Sequence, residues 1–209
     1  MGQGSGEPIL RRAGTRPGDP GRSAHPVASG ACPVPAPSPN SCAQIRHEFT
    51  ASQQYLAAAV YFDAQRLPQL ARICYVGAED KRAHALRMVQ YLLDRDVAVT
   101  VTGTDEVCSE FESPSATVEF LLARERELTD LITTLTRTAR DAGDYLGEQF
   151  IRWFLEDQLE EVARLTTLVA VCERAAGNLF DIEEFVAREI PATRAPDASA
   201  PKPAGSARR

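Results

Sequence analysis

The stretch AEDKRAHALR, residues 78–87, contains His84 and, one helical turn earlier, Lys81. Residues three apart share one face of a helix, so a carboxylate at position 81 would form a pair of metal ligands with His84. A lysine at that position removes a ligand and adds a positive charge. What this lysine does beside a candidate metal-binding histidine is the first question that the sequence raises.

Other polar residues lie at repeated distances along the chain. Two spacings recur, 36 and 33 residues, and the midpoints of the two 36-residue pairs fall at Arg66 and Gly143, beside expected turns. In an antiparallel hairpin, residues equidistant from the turn lie at the same height, so we expect these polar groups at one level of a helical bundle. The pairs are Glu48 with His84 and Glu125 with Glu161 for 36, and Glu48 with Lys81 and Glu125 with Gln158 for 33.

The same residues interrupt apolar seams with three- and four-residue spacing, which predicts amphipathic helices. Pro68 and Pro114 suit helix starts, Ser41 with Gln44 suits a capping box, and Ser113 suits an N-cap. The predicted fold is all-α: a four-helix bundle with a long crossover loop between helices two and three and a short fifth C-terminal helix. The predicted helices are 42–66, 68–95, 114–141, 145–176 and 179–190.

Three carboxylates, Glu48, Glu125 and Glu161, are predicted to lie inside this bundle. A buried charge costs several kcal/mol unless it is compensated, so a positive partner must lie among them. Metal ions are one possibility, and Lys81 itself is the other.

Composition divides the chain into three segments. Residues 1–40 hold eight of the 14 prolines and seven of the 13 glycines, and residues 191–209 are rich in alanine and proline. We predict that both segments are disordered and that residues 41–190 form one folded domain. The formal charge is −6 for the chain and −11 for that domain. Such a domain should attract cations and bind no specific nucleic acid.

The cellular setting is predicted from three further features of the sequence. No apolar run approaches the roughly 18 residues of a membrane span, and the first thirty residues contain no secretory hydrophobic stretch. The five cysteines form no CxxC pair, which favours a reducing, cytoplasmic location. No methionine-ligated haem is expected, since the two methionines are Met1 and the inward-facing Met88.

Over about residues 42–190 the sequence resembles the ferritins, and most closely the bacterial non-haem ferritins. The stretches that carry the resemblance are HEFTASQQYLAAAVYFD, LPQLARICYVGAEDKRAHA, GDYLGEQFIRWFLEDQLEEV and NLFDIEEFVAREI. The resemblance implies iron storage as a ferric mineral inside a hollow homo-oligomeric cage of about 24 subunits. Iron is the implied metal.

The resemblance also implies a di-iron ferroxidase centre, which oxidises Fe(II) with oxygen. Lys81 stands where ferroxidase ferritins have the glutamate that bridges the two irons, and the surrounding run resembles the inactive light chains of animal ferritins. We therefore expect Lys81 to pair with Glu125 or Glu48, ferroxidase activity to be weak or absent, and Lys81→Glu to restore the centre. The implied residues are Glu48, His84, Glu125, Gln158 and Glu161 as ligands, with Tyr55 beside them.

Several alternatives stay open. Asp80 could bind one iron if Lys81 swings away, which would leave a fully active ferroxidase. The chain could also be a ferritin-like di-iron redox enzyme or a small DNA-protecting cage, or it could co-assemble with a ferroxidase-competent ferritin. Glu148 matches the acids of threefold iron-entry channels, although an exposed first-turn acid favoured by the helix dipole explains it equally well.

Overall fold

A computed structural model of the chain describes residues 39–191 and 197–206. Within these ranges the structure contains five α-helices and no strand, which confirms the predicted all-α class. The predictions for residues 1–38, 192–196 and 207–209 lie outside the described residues. The helices are α1 (Pro39–Ala64), α2 (Pro68–Asp94), α3 (Pro114–Asp141), α4 (Tyr145–Ala175) and α5 (Leu179–Glu189).

Two helical hairpins, α1 with α2 and α3 with α4, form the body of the bundle. Their turns contain Arg66 and Gly143, which have left-handed φ angles of 62° and 69°. These residues are also the midpoints of the two 36-residue spacings in the sequence. Residues equidistant from each turn therefore lie at matching heights in their hairpins.

The ends of the helices agree with the sequence at most positions. Ser113 caps α3, its side chain accepting a hydrogen bond from the backbone N–H of Ala116 at 3.1 Å, and Pro114 occupies the first turn. The predicted capping box at the start of α1 is wrong, because that helix begins at Pro39 and Ser41 lies within it. Gln44 instead contributes a hydrogen bond to the interior of the bundle.

The long loop between α2 and α3, residues 95–113, runs against α1. The backbone N–H of Asp105 donates to the Thr50 hydroxyl at 3.0 Å. The Gln54 amide exchanges hydrogen bonds of 2.8 and 2.9 Å with the backbone of Cys108. These contacts fix the connection between the two hairpins.

The short helix α5 packs against α2 and α4. Ile182 and Val186 are fully buried there. Glu183 accepts hydrogen bonds from the backbone N–H groups of Gln69 and Leu70, at 2.8 and 2.9 Å, at the start of α2. None of the helices in the described ranges is long and apolar enough to span a membrane.

The core of the bundle consists of two apolar clusters. One lies towards α5 and includes Phe62, Leu121 and Leu168; the other lies towards the opposite end and includes Ile132 and Phe154. On each of the four long helices, the buried residues between these clusters are polar. This arrangement positions the functional residues.

Candidate functional site

Six buried residues from the four long helices form a polar layer between the two apolar clusters. Each has a relative exposure of 7% or less. The structure therefore brings together the residues that the repeated spacings identified. The members of the polar layer are Glu48, Lys81, His84, Glu125, Gln158 and Glu161.

Lys81 connects α2 with α3 and α4. Its Nζ lies 2.7 Å from Glu125 Oε2 and donates a second hydrogen bond, of 3.2 Å, to Gln158 Oε1. Gln158 Nε2 donates in turn to the backbone carbonyl of Glu125 at 3.0 Å and also contacts its carboxylate. Of the two partners expected for Lys81, the ammonium contacts Glu125.

The charge state of Lys81 follows from its surroundings. Burial alone would lower the pKa of this ammonium, because a charge is poorly solvated in the interior. The negative charges of Glu125 and Glu48 outweigh that effect and raise the pKa above its ordinary value. Lys81 is therefore protonated, and positively charged, near neutral pH.

Glu48 is fully buried on α1. Gln44 Nε2 donates a hydrogen bond of 3.0 Å to its Oε1, whereas its Oε2 accepts no hydrogen bond from the described residues and lies 3.6 Å from His84 Nδ1. Burial raises the pKa of Glu48, but the contact with His84 and the charge of Lys81 more than offset this and hold the pKa below its usual value.

The other ring nitrogen of His84 faces a residue that the sequence analysis missed. His84 Nε2 lies 3.3 Å from Asp157 Oδ2, and the Asp157 side chain is only 9% exposed. The imidazole also packs edge-on against Trp153 and Phe154. Asp157 precedes Gln158 and lies four residues before Glu161, and this spacing could have identified it.

Glu161 is held by a hydroxyl and by a second cation. Tyr55 donates its O–H to Glu161 Oε1 at 2.7 Å, and Arg164 Nη2 lies 2.6 Å from each carboxylate oxygen. Burial opposes these contacts, but Arg164 and Lys81 together hold the pKa of Glu161 below its usual value. Arg164 is not among the residues predicted from the sequence, although its position three residues after Glu161 indicates a contact on one helix face.

The position of Tyr55 depends on Gly77 of α2. A Cβ atom at residue 77 would lie 2.7 Å from Tyr55 Cδ1 and 2.8 Å from Cε1, so only glycine lets the ring approach this closely. Burial and the charges of Glu125 and Glu161 raise the pKa of Tyr55 well above its ordinary value. The hydroxyl is therefore a neutral donor to Glu161.

Each carboxylate of the polar layer thus has a protein partner of its own. Glu125 contacts Lys81, Glu161 contacts Arg164, and Glu48 contacts Gln44. Across residues 39–191 and 197–206, no group of three or more His, Cys, Asp or Glu side chains is placed to hold a metal ion. As it stands, this arrangement does not fit a pair of bound metal ions.

A cavity of about 60 Å³ lies between α1 and α3 and extends to the polar layer. Tyr55 and Glu125 line it on the side of the layer, and His47 and Asp105 also line it. A space of this size admits water molecules. It lies beside Glu125.

Two residues that the sequence analysis singled out lie outside the polar layer. Asp80 is half-buried on α2, in contrast to the buried Lys81 beside it. Glu148 lies in the first turn of α4, where its Oε1 is 2.6 Å from Arg140 Nη2. That hydrogen bond lowers the pKa of Glu148. Metal binding by Asp80 and a channel role for Glu148 stay predictions.

Comparisons with known proteins agree with this architecture. A family model described as a ferritin-like domain matches residues 43–175. The chain is 55% identical over 164 residues to "Ferritin BfrB" of Mycolicibacterium smegmatis, covering 78% of this chain and 90% of that protein. It is 30% identical over 124 residues to a "Bacterial non-heme ferritin" of Staphylococcus aureus, covering 59% and 75%.

Among solved structures, an open-pore ferritin from Archaeoglobus fulgidus superposes with a TM-score of 0.69 at 24% sequence identity. The match covers 72% of this chain and 93% of that one. At this level of identity the likeness supports the fold alone.

Proposed function

Because this chain belongs to the ferritin family, we propose that it is an iron-storage subunit in which Lys81 impairs the di-iron ferroxidase centre. The observation that carries the proposal is the buried contact of 2.7 Å between Lys81 and Glu125. The ammonium occupies the middle of the polar layer, where metal ions would otherwise compensate the carboxylates.

Electrostatics supports this interpretation. A unit charge about 4 Å from another contributes roughly 4 kcal/mol at an effective dielectric constant of 20. The ammonium of Lys81 would repel Fe(II) by an amount of this order for each ion. It also uses a carboxylate oxygen of Glu125 that a metal ion would need. Rapid oxidation of paired irons should therefore be weak in a cage made only of this chain.

Storage itself does not need that centre. The folded domain carries a formal charge of −11, which favours the accumulation of cations. Slower oxidation could continue at sites such as Glu148 or on the mineral surface. The four cysteines in the described ranges have free thiols, which suits the reducing cytoplasm expected from the sequence.

Large exposed side chains are consistent with assembly into a cage. Tyr145, Leu146, Leu159 and Phe180 are each at least 70% exposed in the single chain, on α4 and α5. Contact with neighbouring subunits would remove these apolar side chains from water. We propose a homo-oligomer of about 24 subunits with a mass near half a megadalton. A particle near 270 kDa in solution scattering would instead indicate the small DNA-protecting type of cage.

The deciding experiment for the impaired centre is stopped-flow oxidation at two Fe(II) per subunit, followed by aerobic loading. Wild type should lack a rapid saturable phase and should still accumulate many ferric ions per subunit. Lys202→Glu, a charge reversal at the chain's other lysine, should behave like wild type. A rapid saturable phase in wild type would contradict impairment and favour a centre that uses Asp80. A cage that retains only a few irons per subunit would contradict storage and favour a di-iron enzyme.

A further inference from the structure

Arg164 gives the polar layer a second internal cation. We propose that Arg164 and Lys81 act together as a built-in substitute for two metal ions, each blocking one position in the layer, so that the binding of two divalent ions requires the removal of both. This inference rests on the proposed function, because it assumes that compensation by side chains replaces compensation by metal.

The contacts of Arg164 leave Glu161 little capacity for a metal. A carboxylate offers about four lone-pair positions on its two oxygens. In Glu161, Arg164 contacts both oxygens at 2.6 Å, and Tyr55 donates to Oε1 at 2.7 Å. Three of these positions are therefore occupied, two of them by charge-assisted bonds, which are roughly twice as strong as neutral ones.

Removal of Lys81 would not release Glu161. The hydrogen bonds of Lys81 go to Glu125 and Gln158, whereas Arg164 reaches Glu161 along α4 itself, three residues away. Lys81→Glu frees the carboxylate of Glu125 and the amide of Gln158. The guanidinium of Arg164, however, remains in contact with Glu161. Lys81→Glu alone would then leave the position at Glu161 blocked, in contrast to the expectation from the sequence that it restores a two-metal centre.

Arg164 acts on the layer through Glu161 and is a positioning residue. Its side chain is 27% exposed and reaches the layer from the edge, whereas Lys81 is enclosed. Each cation thus pairs with a different carboxylate: Lys81 pairs with Glu125, and Arg164 pairs with Glu161.

The test is a titration of the metal-free cages with Co²⁺ alone, monitored by visible absorption and calorimetry, with wild type as the baseline for surface sites. We expect about one additional Co²⁺ per subunit in Lys81→Glu and about two in Lys81→Glu/Arg164→Gln. Lys81→Glu/Arg164→Lys, which keeps the charge, should resemble Lys81→Glu. Arg174→Gln, at an exposed arginine of α4, should leave the wild-type isotherm unchanged.

Each outcome either supports the inference or overturns it. Equal Co²⁺ binding by Lys81→Glu and by the Arg164→Gln double variant would overturn the role of Arg164 and leave that of Lys81 intact. Two tight ions in wild type would overturn the proposed function itself. A double variant that assembles and binds no more than wild type would also overturn the inference. If the added negative charge prevents assembly, the milder pair Lys81→Gln and Lys81→Gln/Arg164→Gln supplies the same comparison.

Discussion

Two regions of the molecule each hold a carboxylate against another helix, but they stabilise it differently. One is the polar layer, and the other is the α2–α5 joint, where Glu183 of α5 contacts the start of α2. In the layer, Glu125 contacts the ammonium of Lys81, and both side chains are at most 3% exposed. At the joint, the half-buried Glu183 accepts hydrogen bonds from two backbone N–H groups at the start of α2. One carboxylate depends on a side-chain cation, and the other on a helix N-terminus.

This difference determines how far a perturbation should spread. At the joint, Glu183 accepts hydrogen bonds from backbone N–H groups that water could also satisfy. The effect of losing Glu183 should therefore be confined to the contact between α2 and α5. The layer contains several charges in a medium of low dielectric constant, where the loss of one partner leaves the others uncompensated. Substitutions in the two regions should therefore differ in size and in coupling.

The largest effect is expected for Lys81→Met. Methionine keeps an unbranched apolar chain but removes the cation, which leaves Glu125 buried without its ion-pair partner. Breaking a buried pair in this way costs roughly 3–5 kcal/mol of the free energy of unfolding per subunit. The measurement is the apparent Tm by scanning calorimetry at a fixed subunit concentration.

Lys202→Met is the matched control, because Lys202 is exposed in the segment after α5 and should tolerate the change. If Lys81→Met and Lys202→Met unfold at the same temperature, the layer is no more sensitive than the surface, and the contrast with the joint fails.

Gly77→Ala tests the shape of the layer rather than its charge. The new Cβ would lie 2.7 Å from the Tyr55 ring, so the ring must shift and its hydrogen bond to Glu161 must weaken. Overpacking of this kind costs typically about 1–3 kcal/mol. The same calorimetric scan checks the result.

The control for this substitution is Gly103→Ala in the long loop, where nothing lies within 4 Å of the added Cβ. It should be neutral or slightly stabilising, by up to about 1 kcal/mol, because alanine restricts the unfolded chain. A stability loss at Gly103 equal to that at Gly77 would show that close packing against Tyr55 is not the cause.

The two regions also differ in how well the sequence predicts them. The layer interrupts periodic apolar seams at repeated spacings, so its six members can be identified from the sequence alone. Arg164 and Asp157 lie on the flanks of their seam, where a polar residue normally indicates solvent. The seam pattern does not identify them, and only their spacings of three and four residues from Glu161 indicate a contact. Glu183 caps a helix that begins more than a hundred residues earlier, and no local periodicity marks such a contact.

An intermediate effect is expected at the joint for Glu183→Gln. The amide keeps one acceptor oxygen but loses the charge that favours the start of α2, a loss of about 1 kcal/mol. Glu184→Gln, at the neighbouring position on α5, is the control and should change the apparent Tm by less.

The two regions should also differ in whether the stability effects of paired substitutions add. Glu183→Gln and Lys81→Met should have additive effects on stability to within about 0.5 kcal/mol, since they share no partner. Lys81→Met and Glu125→Gln should be strongly non-additive, because the second substitution removes the charge that the first leaves unpaired. Additivity in both cycles would refute the view that the layer acts as one electrostatic unit.

The smallest effect concerns the segment of residues 197–206, which contacts both α2 and α4. Trp153 Nε1 donates to Asp197 Oδ2 at 2.7 Å, and Arg87 Nε donates to the Pro201 carbonyl at 2.9 Å. Trp153 also packs edge-on against His84, with the ring centres 5.4 Å apart. Trp153 therefore connects this segment with the polar layer.

Trp153 is the only tryptophan of the chain, so its fluorescence reports this contact directly. Asp197→Ala removes the acceptor at an exposed position, which should shift the emission to longer wavelength and increase quenching by acrylamide. The apparent Tm should change less than for Glu183→Gln, because the carboxylate is exposed and exposed charged contacts contribute little. Asp197→Asn keeps an acceptor oxygen and should retain most of the wild-type emission. Unchanged emission in Asp197→Ala would mean that the segment does not hold Trp153. The polar layer would then be independent of the segment, just as we expect the layer to be independent of the α2–α5 joint.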